Sequence, residues 1–523
     1  MPTPIDIEIV NKSFCAVAEE MGMVVERSAY SPNIKERRDF SCAIFNADGE
    51  LIVQAAHIPV HLGAMPDTVR MVRERFALGP GDIVITNDPY SGGTHLPDIT
   101  MVQGVFPQLD NAPGYYLVVR AHHADVGGKA PGSMPLARSL MDEGVLVRPA
   151  FFSRGGVVQK DFLDFFLKRV RNPEEREGDL RAQAASLKRG AARILELETR
   201  YGSTFLGLCM DELLEYGRRV TTSVIRDLPN GTYSFTDYLD DDGLSKRPIP
   251  ISVEITIEDD GLVADFSQSA MEVSTGLNAV RSVTRSCVYY CIFCLMGQGY
   301  PVNSGALRPI RVVTRPGTIV DPRFPSPVAA GNVETSQRIV DVVFGALSKA
   351  LPHGVPAASA GTMNNVAVGG LDAEGREYTY YETIGGGMGA RPDQDGLSAI
   401  QTNMTNTLNT PVEALEQQYP FLVEEYAIRR GSGGKGKYAG GHGIIRRIRF
   451  LGDAHVTLLT ERRRTSPYGL HGGLPGKRGL NRLRKAGGCR WMMLPGKCHL
   501  DVKSGDVLEI RTPGGGGWGE RTH

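Results

Sequence analysis

Apolar residues near the start of the chain recur with the spacing of an α-helix. Five of them step by four, three, four and three residues and so share one helix face: Val10, Phe14, Val17, Met21 and Val24. The pattern becomes helical again from about Val157 to Val224, where one face carries Leu180, Leu187, Ala191 and Ile194. Further helices are predicted near Ser282–Met296 and in "VETSQRIVDVVFGALSKALP", which begins with hydroxyl residues and has Pro352 past its end.

Runs of β-branched and aromatic residues that end at turn residues predict strands. "DFSCAIFNADGELIVQ" predicts a hairpin with its turn at Asp48–Gly49, and "PISVEITIEDDGLVADFS" a second with its turn at Asp259–Gly261. "GDIVITNDPY" and "GYYLVVRAHH" are typical of strands that run into loops. After Arg430 the chain is rich in glycine, with short strands in "GIIRRIRF", "HVTLLTE" and "VLEIRT".

These elements predict an α+β protein with several domains. With 523 residues the chain exceeds what one simple core supports. We expect a mixed α/β architecture with several antiparallel sheets, long helices in the middle and a β-rich C-terminal part. The predicted divisions are an N-terminal α/β part (1–150), a helical segment (151–230), a mixed α/β part (231–429) and a Gly-rich β part (430–523).

The composition is that of an ordinary globular protein and narrows the function classes. Apolar residues make up 41% and charged residues 22%, and a net charge of −1 argues against nucleic-acid binding. The N-terminal "MPTPIDIEIVNKSF" lacks the features of a secretory signal, and no stretch is apolar and long enough to span a membrane. The eight cysteines lack a disulfide-framework spacing, so a cytoplasmic location is expected.

Three motifs match known site patterns without the surroundings that those sites need. Cys287, Cys291 and Cys294 have an iron–sulfur spacing, but their apolar helical run favours a core helix. "GSGGKG" matches a dinucleotide fingerprint without the required strand and helix, and no phosphate-binding loop occurs, so another chain would supply any ATP site. The basic stretch Arg430–Arg490, densest in "ERRRTSPYGLHGG", is expected to form a solvated or subunit-facing surface.

Two His-x-x-Asp steps stand in glycine-rich surroundings near predicted strand ends. "GTHLPDIT" contains His95 and Asp98, and "VVRAHHADVGG" contains His122 and Asp125. Imidazole and carboxylate groups are good ligands for Zn, Mn or Fe, provided that three or four converge from different segments. A metal site is therefore one interpretation of the two steps, and ordinary polar loops are the other.

The individual roles within this candidate site differ. His122 and His123 are adjacent, so on a strand they face opposite ways and only one is expected to bind a metal. Asp125 is a candidate ligand or general base, and Asp39 in "ERRDFS" is a further candidate. We expect Arg37 and Arg38 to favour the ionised form of Asp39; alternatively, Asp39 simply pairs with one of them at the surface.

Six segments, in order along nearly the whole chain, resemble the hydantoinase B/oxoprolinase family. They are "ERRDFSCAIF", "NDPYSGGTHLPD", "AHHADVGGKAPGSMP", "GNVETSQRIVDVVFGAL", "GGKGKYAGGHGIIR" and "TPGGGGWG". The resemblance implies the B-type subunit of an ATP-dependent cyclic amidohydrolase, or the equivalent subunit of acetone and acetophenone carboxylases. It also implies an A-type partner with an actin-like fold that binds ATP and Mg, in a hetero-oligomer such as a heterotetramer.

The family's metal motifs fall on His95, Asp98 and the histidine before "ADVGG". The family's H-x-x-D step favours His122 over His123 for that third position. Asp39 matches the carboxylate that works beside the metal in the family.

Three hypotheses then stand. In the first, the partner phosphorylates the carbonyl oxygen of a cyclic amide such as a hydantoin, 5-oxoproline or a lactam. This chain then delivers water with its metal and with Asp39 or Asp125 as the base. In the second, the substrate is a ketone that is carboxylated with bicarbonate or CO2. In the third, the chain is a non-catalytic scaffold and its His and Asp residues are structural.

Overall fold

The computed structural model describes residues 2–55, 58–107, 112–297 and 299–521. The first seven strands form one antiparallel sheet in the order β2-β1-β5-β4-β3-β6-β7. They are β1 (Phe40–Asn46), β2 (Leu51–Gln54), β3 (Ile83–Thr86), β4 (Asp98–Val105), β5 (Tyr115–His122), β6 (Ala150–Arg154) and β7 (Val157–Val158). The hairpin predicted at Asp48–Gly49 is confirmed as β1 and β2.

The α-helices lie before, between and after the strands of this sheet along the chain. They are α1 (Pro4–Ser28), α2 (Pro32–Lys35), α3 (Met65–Arg75), α4 (Leu140–Glu143), α5 (Lys160–Leu167), α6 (Pro173–Tyr201), α7 (Ser203–Arg226), α8 (Arg281–Met296), α9 (Ser304–Leu307), α10 (Ser336–Ala350) and α11 (Val412–Gln418). The helical pattern expected from Val157 begins instead at Lys160, since Val157–Val158 pairs with β6 as a strand.

Helix α1 packs against α6 through the face that its periodicity predicts. Four of the five expected positions are buried, and at the C-terminal end of the face Val25 is buried rather than Val24. At 3.6 residues per turn both lie near the same face, so the spacing alone does not choose between them. The two helices approach closely at Gly190, where an added Cβ would lie 2.5 Å from the sulfur of Met21.

The second sheet lies in the middle of the chain and has the order β11-β10-β9-β8. Its strands are β8 (Gly231–Leu239), β9 (Ile249–Glu258), β10 (Gly261–Asp265) and β11 (Ile310–Val313). The hairpin predicted at Asp259–Gly261 is confirmed as β9 and β10. Helix α8 carries Cys287 and Cys291 in the hydrophobic core, as expected, whereas Cys294 is exposed.

Two further antiparallel sheets share the C-terminal core. One has the order β13-β12-β16-β19, with β12 (Asn365–Leu371), β13 (Glu377–Glu382), β16 (Ala454–Leu459) and β19 (Lys497–Val502). The other has the order β14-β15-β20-β17-β18, with β14 (Phe421–Arg429), β15 (Gly443–Phe450), β17 (Leu480–Arg484), β18 (Trp491–Leu494) and β20 (Val507–Arg511). The expected α+β architecture with several antiparallel sheets and long central helices is therefore confirmed.

The hydrophobic cores do not correspond to consecutive segments of the chain. One cluster runs from Val10 to Leu459, and another joins residues from Val366 to Ile510. The four-part division of the chain stays a prediction. None of the helices in the described ranges is both long and apolar enough to cross a membrane.

The basic run "ERRRTSPYGLHGG" differs from the expected surface. Arg462 is buried and donates hydrogen bonds of 2.6 Å to both Asp237 and Asp341, and Glu461 is buried beside it. Only Arg464 of the three arginines is exposed. The acidic partners lie more than a hundred residues away in the chain, so the local charge pattern could not show that this run is internal.

Candidate metal centre

Strands β4 and β5 bring both predicted histidine–aspartate segments to one edge of the first sheet. Asp98 is the first residue of β4 and His122 is the last residue of β5, and the two are directly opposite in the antiparallel register. His95 lies in the loop before β4, where its carbonyl accepts a hydrogen bond of 3.1 Å from the Asp98 backbone N–H. Opposite residues of an antiparallel pair share a face, so the register itself places Asp98 beside His122.

Three ligand atoms converge in the buried space between these segments. His95 Nε2 and Asp98 Oδ1 are 3.1 Å apart, His122 Nδ1 and Asp98 Oδ1 are 3.2 Å apart, and the two imidazole nitrogens are 3.1 Å apart. Ligand atoms that lie about 2.1 Å from one ion are about 3.0–3.4 Å from each other. The three residues therefore fit a metal ion, although the same spacing also suits protons shared among them.

The surrounding contacts fix the orientation of the three side chains. His95 Nδ1 donates to the Ala329 carbonyl at 3.3 Å, which turns Nε2 towards Asp98. The second oxygen of Asp98 accepts from the Thr94 hydroxyl. The His122 ring stacks on Tyr381, with centroids 4.8 Å apart and planes at 14°, and its Nε2 has no hydrogen-bond partner among the described residues.

The charge states of these groups suit metal binding. Burial alone would raise the pKa of Asp98, but His95 and His61 beside it and the hydrogen bonds of the site hold that pKa well below its usual range. Burial lowers the pKa of His122 against the pull of Asp98. The site thus combines an ionised carboxylate with a neutral imidazole, which are the forms that bind a metal.

His61 belongs to the same cluster and was not predicted. Its Nε2 lies 3.3 Å from Asp98 Oδ2 and its Nδ1 lies 2.8 Å from the Ser41 hydroxyl. Burial lowers the pKa of His61, so its ring is neutral. In the sequence it follows His57 by four residues and stands between apolar residues, without a His-x-x-Asp step, and its burial beside Asp98 is seen only in the fold.

Asp39 lies beside this cluster, but its surroundings differ from both expectations. It is buried rather than at the surface, and its nearest cation is Arg37 at 3.9 Å, while Arg38 pairs with Glu26. Burial raises the pKa of Asp39, against the opposing influence of His122 and Arg37. The expectation that two arginines favour its ionised form holds only for Arg37, whose guanidinium is also shared among Asn33, Tyr381 and Thr383, because Arg38 turns away.

Asp125 and His123 are placed outside the three-ligand group. Asp125 accepts hydrogen bonds from the backbone N–H groups of Gly127 at 2.7 Å and Gly132 at 3.0 Å, and pairs with Arg171 at 3.1 Å. His123 Nε2 lies 2.9 Å from the Gln183 side-chain oxygen, and burial lowers the pKa of His123 to about 4. Asp125 thus holds the loop that follows β5, and His123 points away from His122.

A series of hydrogen bonds among residues from the second half of the sequence lies behind the His122 ring. The Tyr381 hydroxyl donates to Asn365 at 2.7 Å, and the Asn365 amide donates to Glu334 at 2.7 Å. Glu334 sits in a π-helical turn, Gly331–Thr335, and burial raises its pKa to about 8. Tyr381 and Asn365 lie outside the six segments that resemble the family, whereas Glu334 belongs to "GNVETSQRIVDVVFGAL", and π-turns such as this one recur at functional sites.

The family model for hydantoinase B/oxoprolinase matches residues 3–521. The chain belongs to this family.

Similar proteins of the hydantoinase B/oxoprolinase type differ in length. An uncharacterized protein of Methanocaldococcus jannaschii is 42% identical over 98% of this chain and 90% of its own length. A Pseudomonas protein assigned as the B-type subunit of a D-/L-hydantoinase is 30% identical over 99% of this chain and 90% of its own. The 5-oxoprolinase of Dictyostelium discoideum is 36% identical over 99% of this chain, which spans only 40% of that longer protein.

Two solved structures have the same fold as this hydantoinase B/oxoprolinase chain. The ATP-dependent caprolactamase from Pseudomonas jessenii superposes with a TM-score of 0.93 at 26% identity, over 99% of this chain and 92% of that one. A nucleotide-free acetone carboxylase chain gives a TM-score of 0.91 at 18% identity, over 99% and 76%. The second likeness is one of fold alone.

Proposed function

We propose that this chain is the metal-carrying, B-type subunit of an ATP-dependent hydrolase of cyclic amides. The observation that carries the proposal is the buried convergence of His95, Asp98 and His122 in a chain similar to a caprolactamase over almost its full length. The two imidazole nitrogens and the carboxylate oxygen face each other at 3.1–3.2 Å, the spacing of three atoms that bind one ion. These three residues would hold Zn, Mn or Fe.

A metal bound there would supply a Lewis acid next to the reacting carbon. The side chains around it would orient the binding atoms and move the proton. His95 is oriented by Ala329 and His122 by Tyr381, so the binding atoms need no rearrangement. Asp39, buried next to His122, would take a proton from the attacking water at its carboxylate.

The partner would be an A-type subunit that binds ATP and Mg and transfers the γ-phosphoryl group to the amide oxygen. Water adds to the activated carbon, the ring C–N bond breaks and the nitrogen takes a proton. A second water then hydrolyses the acyl phosphate that remains, which gives an open-chain amino acid and phosphate. We expect the two subunits to form a hetero-oligomer such as a heterotetramer, which light scattering of the co-purified complex would measure.

The test is reconstitution of this chain with its A-type partner and assay with hydantoins, 5-oxoproline and lactams. ATP-dependent ring opening is expected with at least one of them. Incorporation of labelled bicarbonate into a ketone, without ring opening, would replace the proposal with the carboxylase alternative.

The metal is tested on the same preparation. Elemental analysis should find near-stoichiometric Zn, Mn or Fe in the wild-type chain and a large loss in His95→Ala. His123→Gln is the matched control, because His123 lies on the opposite side of β5 and should leave the metal content unchanged. A wild-type chain that stays metal-free after expression with all three metals would favour the scaffold alternative.

A further inference from the structure

A second group of histidines and an aspartate lies on the C-terminal sheet, far along the chain from the first. His455 of β16 is directly opposite Asp501 of β19, and Thr457 of β16 is opposite His499 of β19. Opposite residues share a sheet face, so the four polar side chains project together. The alternate residues of the same strands, such as Val456 and Leu458, lie in the C-terminal hydrophobic core.

The geometry of this group resembles that of a metal-binding set. One ligand atom from each of His455, His499 and Asp501 lies within 4.8 Å of the others. The two imidazole rings are nearly parallel, with an interplanar angle of 11° and centroids 6.1 Å apart. All three side chains are exposed, so modest rotations would bring the ligand atoms to bonding distance.

Both rings are held through the same nitrogen. His455 Nδ1 lies 2.5 Å from Asp501 Oδ1, and His499 Nδ1 lies 3.1 Å from the Thr457 hydroxyl. An ion would displace the proton between His455 Nδ1 and Asp501 Oδ1, and rotation of the His499 ring away from Thr457 would bring a third ligand atom to it.

An independent observation is that the two histidines line a cavity of about 430 Å³. Its opposite wall carries Lys129, Pro131 and Arg171 from the segments after β5. Gly369, opposite His455 on β12, lets Pro131 pack closely on this strand, because a Cβ there would lie 2.2 Å from Pro131 Cβ. The pair therefore faces an open concavity of the surface rather than a flat sheet.

We propose that His455, His499 and Asp501 form a second metal site, separate from the buried centre, that takes a divalent transition ion such as Ni²⁺ or Zn²⁺. Two imidazoles select such ions over Mg²⁺ and Ca²⁺, which prefer oxygen ligands. Because the ligands are exposed and must move to close on the ion, this site binds more weakly than the buried one and exchanges its ion more readily.

The experiment is equilibrium dialysis of the metal-stripped, full-length chain against Ni²⁺, with the bound metal counted by elemental analysis. Wild type should bind two equivalents, and His455→Gln and His499→Gln should each bind one. His471→Gln is the matched control: His471 and His353 have the same centroid distance of 6.1 Å but belong to no carboxylate-containing group of the described residues. This variant should keep both equivalents.

The outcomes separate the two sites. If His455→Gln and His499→Gln bind as much Ni²⁺ as wild type, the second site does not exist. If wild type binds one equivalent that only His95→Ala removes, the inference is equally overturned. One equivalent that is lost in His499→Gln but kept in His95→Ala would support the second site and contradict the buried centre.

Discussion

Asp39 and Asp125 are both buried carboxylates, but their neighbours assign them different roles. Asp125 is saturated by two backbone N–H groups and Arg171, so it has little freedom to exchange a proton with substrate. Asp39 interacts electrostatically with His122, Asp98 and His95, and its nearest cation is 3.9 Å away. Asp39 is therefore the better candidate for the general base.

Substitution by asparagine should separate these roles. Asp39→Asn keeps the size of the side chain but cannot take a proton, so turnover of the reconstituted complex should fall by roughly a hundredfold with little change in Tm. Asp125→Asn should instead lower the free energy of unfolding by about 1–3 kcal/mol, because buried donors lose their charged acceptor. Turnover within a few-fold of wild type for Asp39→Asn would make Asp39 structural.

Glu143 supports the site indirectly, through the backbone of Ala329. The side chain of Glu143 accepts a hydrogen bond of 2.9 Å from the Ala329 backbone N–H. The Ala329 carbonyl in turn accepts the hydrogen bond from His95 Nδ1. Burial raises the pKa of Glu143 from 4.5 to about 8. The stability that this shift contributes is fully present below pH 4.5 and is lost as the pH rises through 8.

Glu143→Gln should therefore remove the part of the pH dependence of Tm that the Glu143 carboxyl causes. Glutamine keeps the oxygen that accepts from Ala329 but stays neutral, so the variant should match wild type in Tm near pH 5 and exceed it by several degrees above pH 8. Thermal unfolding across this range measures the difference. The exposed Glu413→Gln serves as the control, and a constant Tm difference at all pH values would contradict the assignment.

The residues of the site were only partly visible in the sequence. His95, Asp98 and His122 stand in local steps and at strand ends, where a pattern can be recognised. His61, Tyr381 and Glu334 reach the site through packing between distant segments: Asn365, which bonds both Tyr381 and Glu334, has no local relation to His122. The opposite orientation of His123 follows from strand alternation, which local reasoning does provide.

At the scale of elements, buried ion pairs join the C-terminal part of the chain to the middle. Arg462, in the segment after β16, bonds Asp237 of β8 and Asp341 of α10. Amphipathic periodicity located helices such as α1 and both hairpins because their apolar faces repeat locally. It could not locate this junction, since it depends on charges brought together only by the fold.

Two arginines of this segment, one buried and one exposed, provide a test of the buried ion pairs and its control. Arg462→Ala should lower the free energy of unfolding by about 3–5 kcal/mol, because it leaves Asp237 and Asp341 buried without a cation. Arg464→Ala, whose side chain is 46% exposed, should cost less than about 1 kcal/mol. Denaturant unfolding of both variants measures the contrast, and equal losses would show that the buried network is not the source of the stability.

At the scale of the whole molecule, the proposed division of labour leaves ATP to the partner. The glycine-rich "GSGGKG" directly follows β14, so the expectation that no strand precedes it is wrong, but it leads into strand β15 and not into the helix that a dinucleotide site needs. Calorimetry of the isolated chain with Mg-ATP at micromolar protein should show no binding heat. Tight binding would overturn the assignment of ATP to a separate A-type subunit.

The walls of the buried centre come from widely separated parts of the chain. The three proposed ligands lie between residues 95 and 122, but the groups that orient the two histidines belong to Ala329 and Tyr381. During synthesis the ligands therefore leave the ribosome long before their supports do. A nascent chain would offer the ion an unshaped, exchangeable set of side chains, and selection of the correct metal would have to wait until most of the protein has been made.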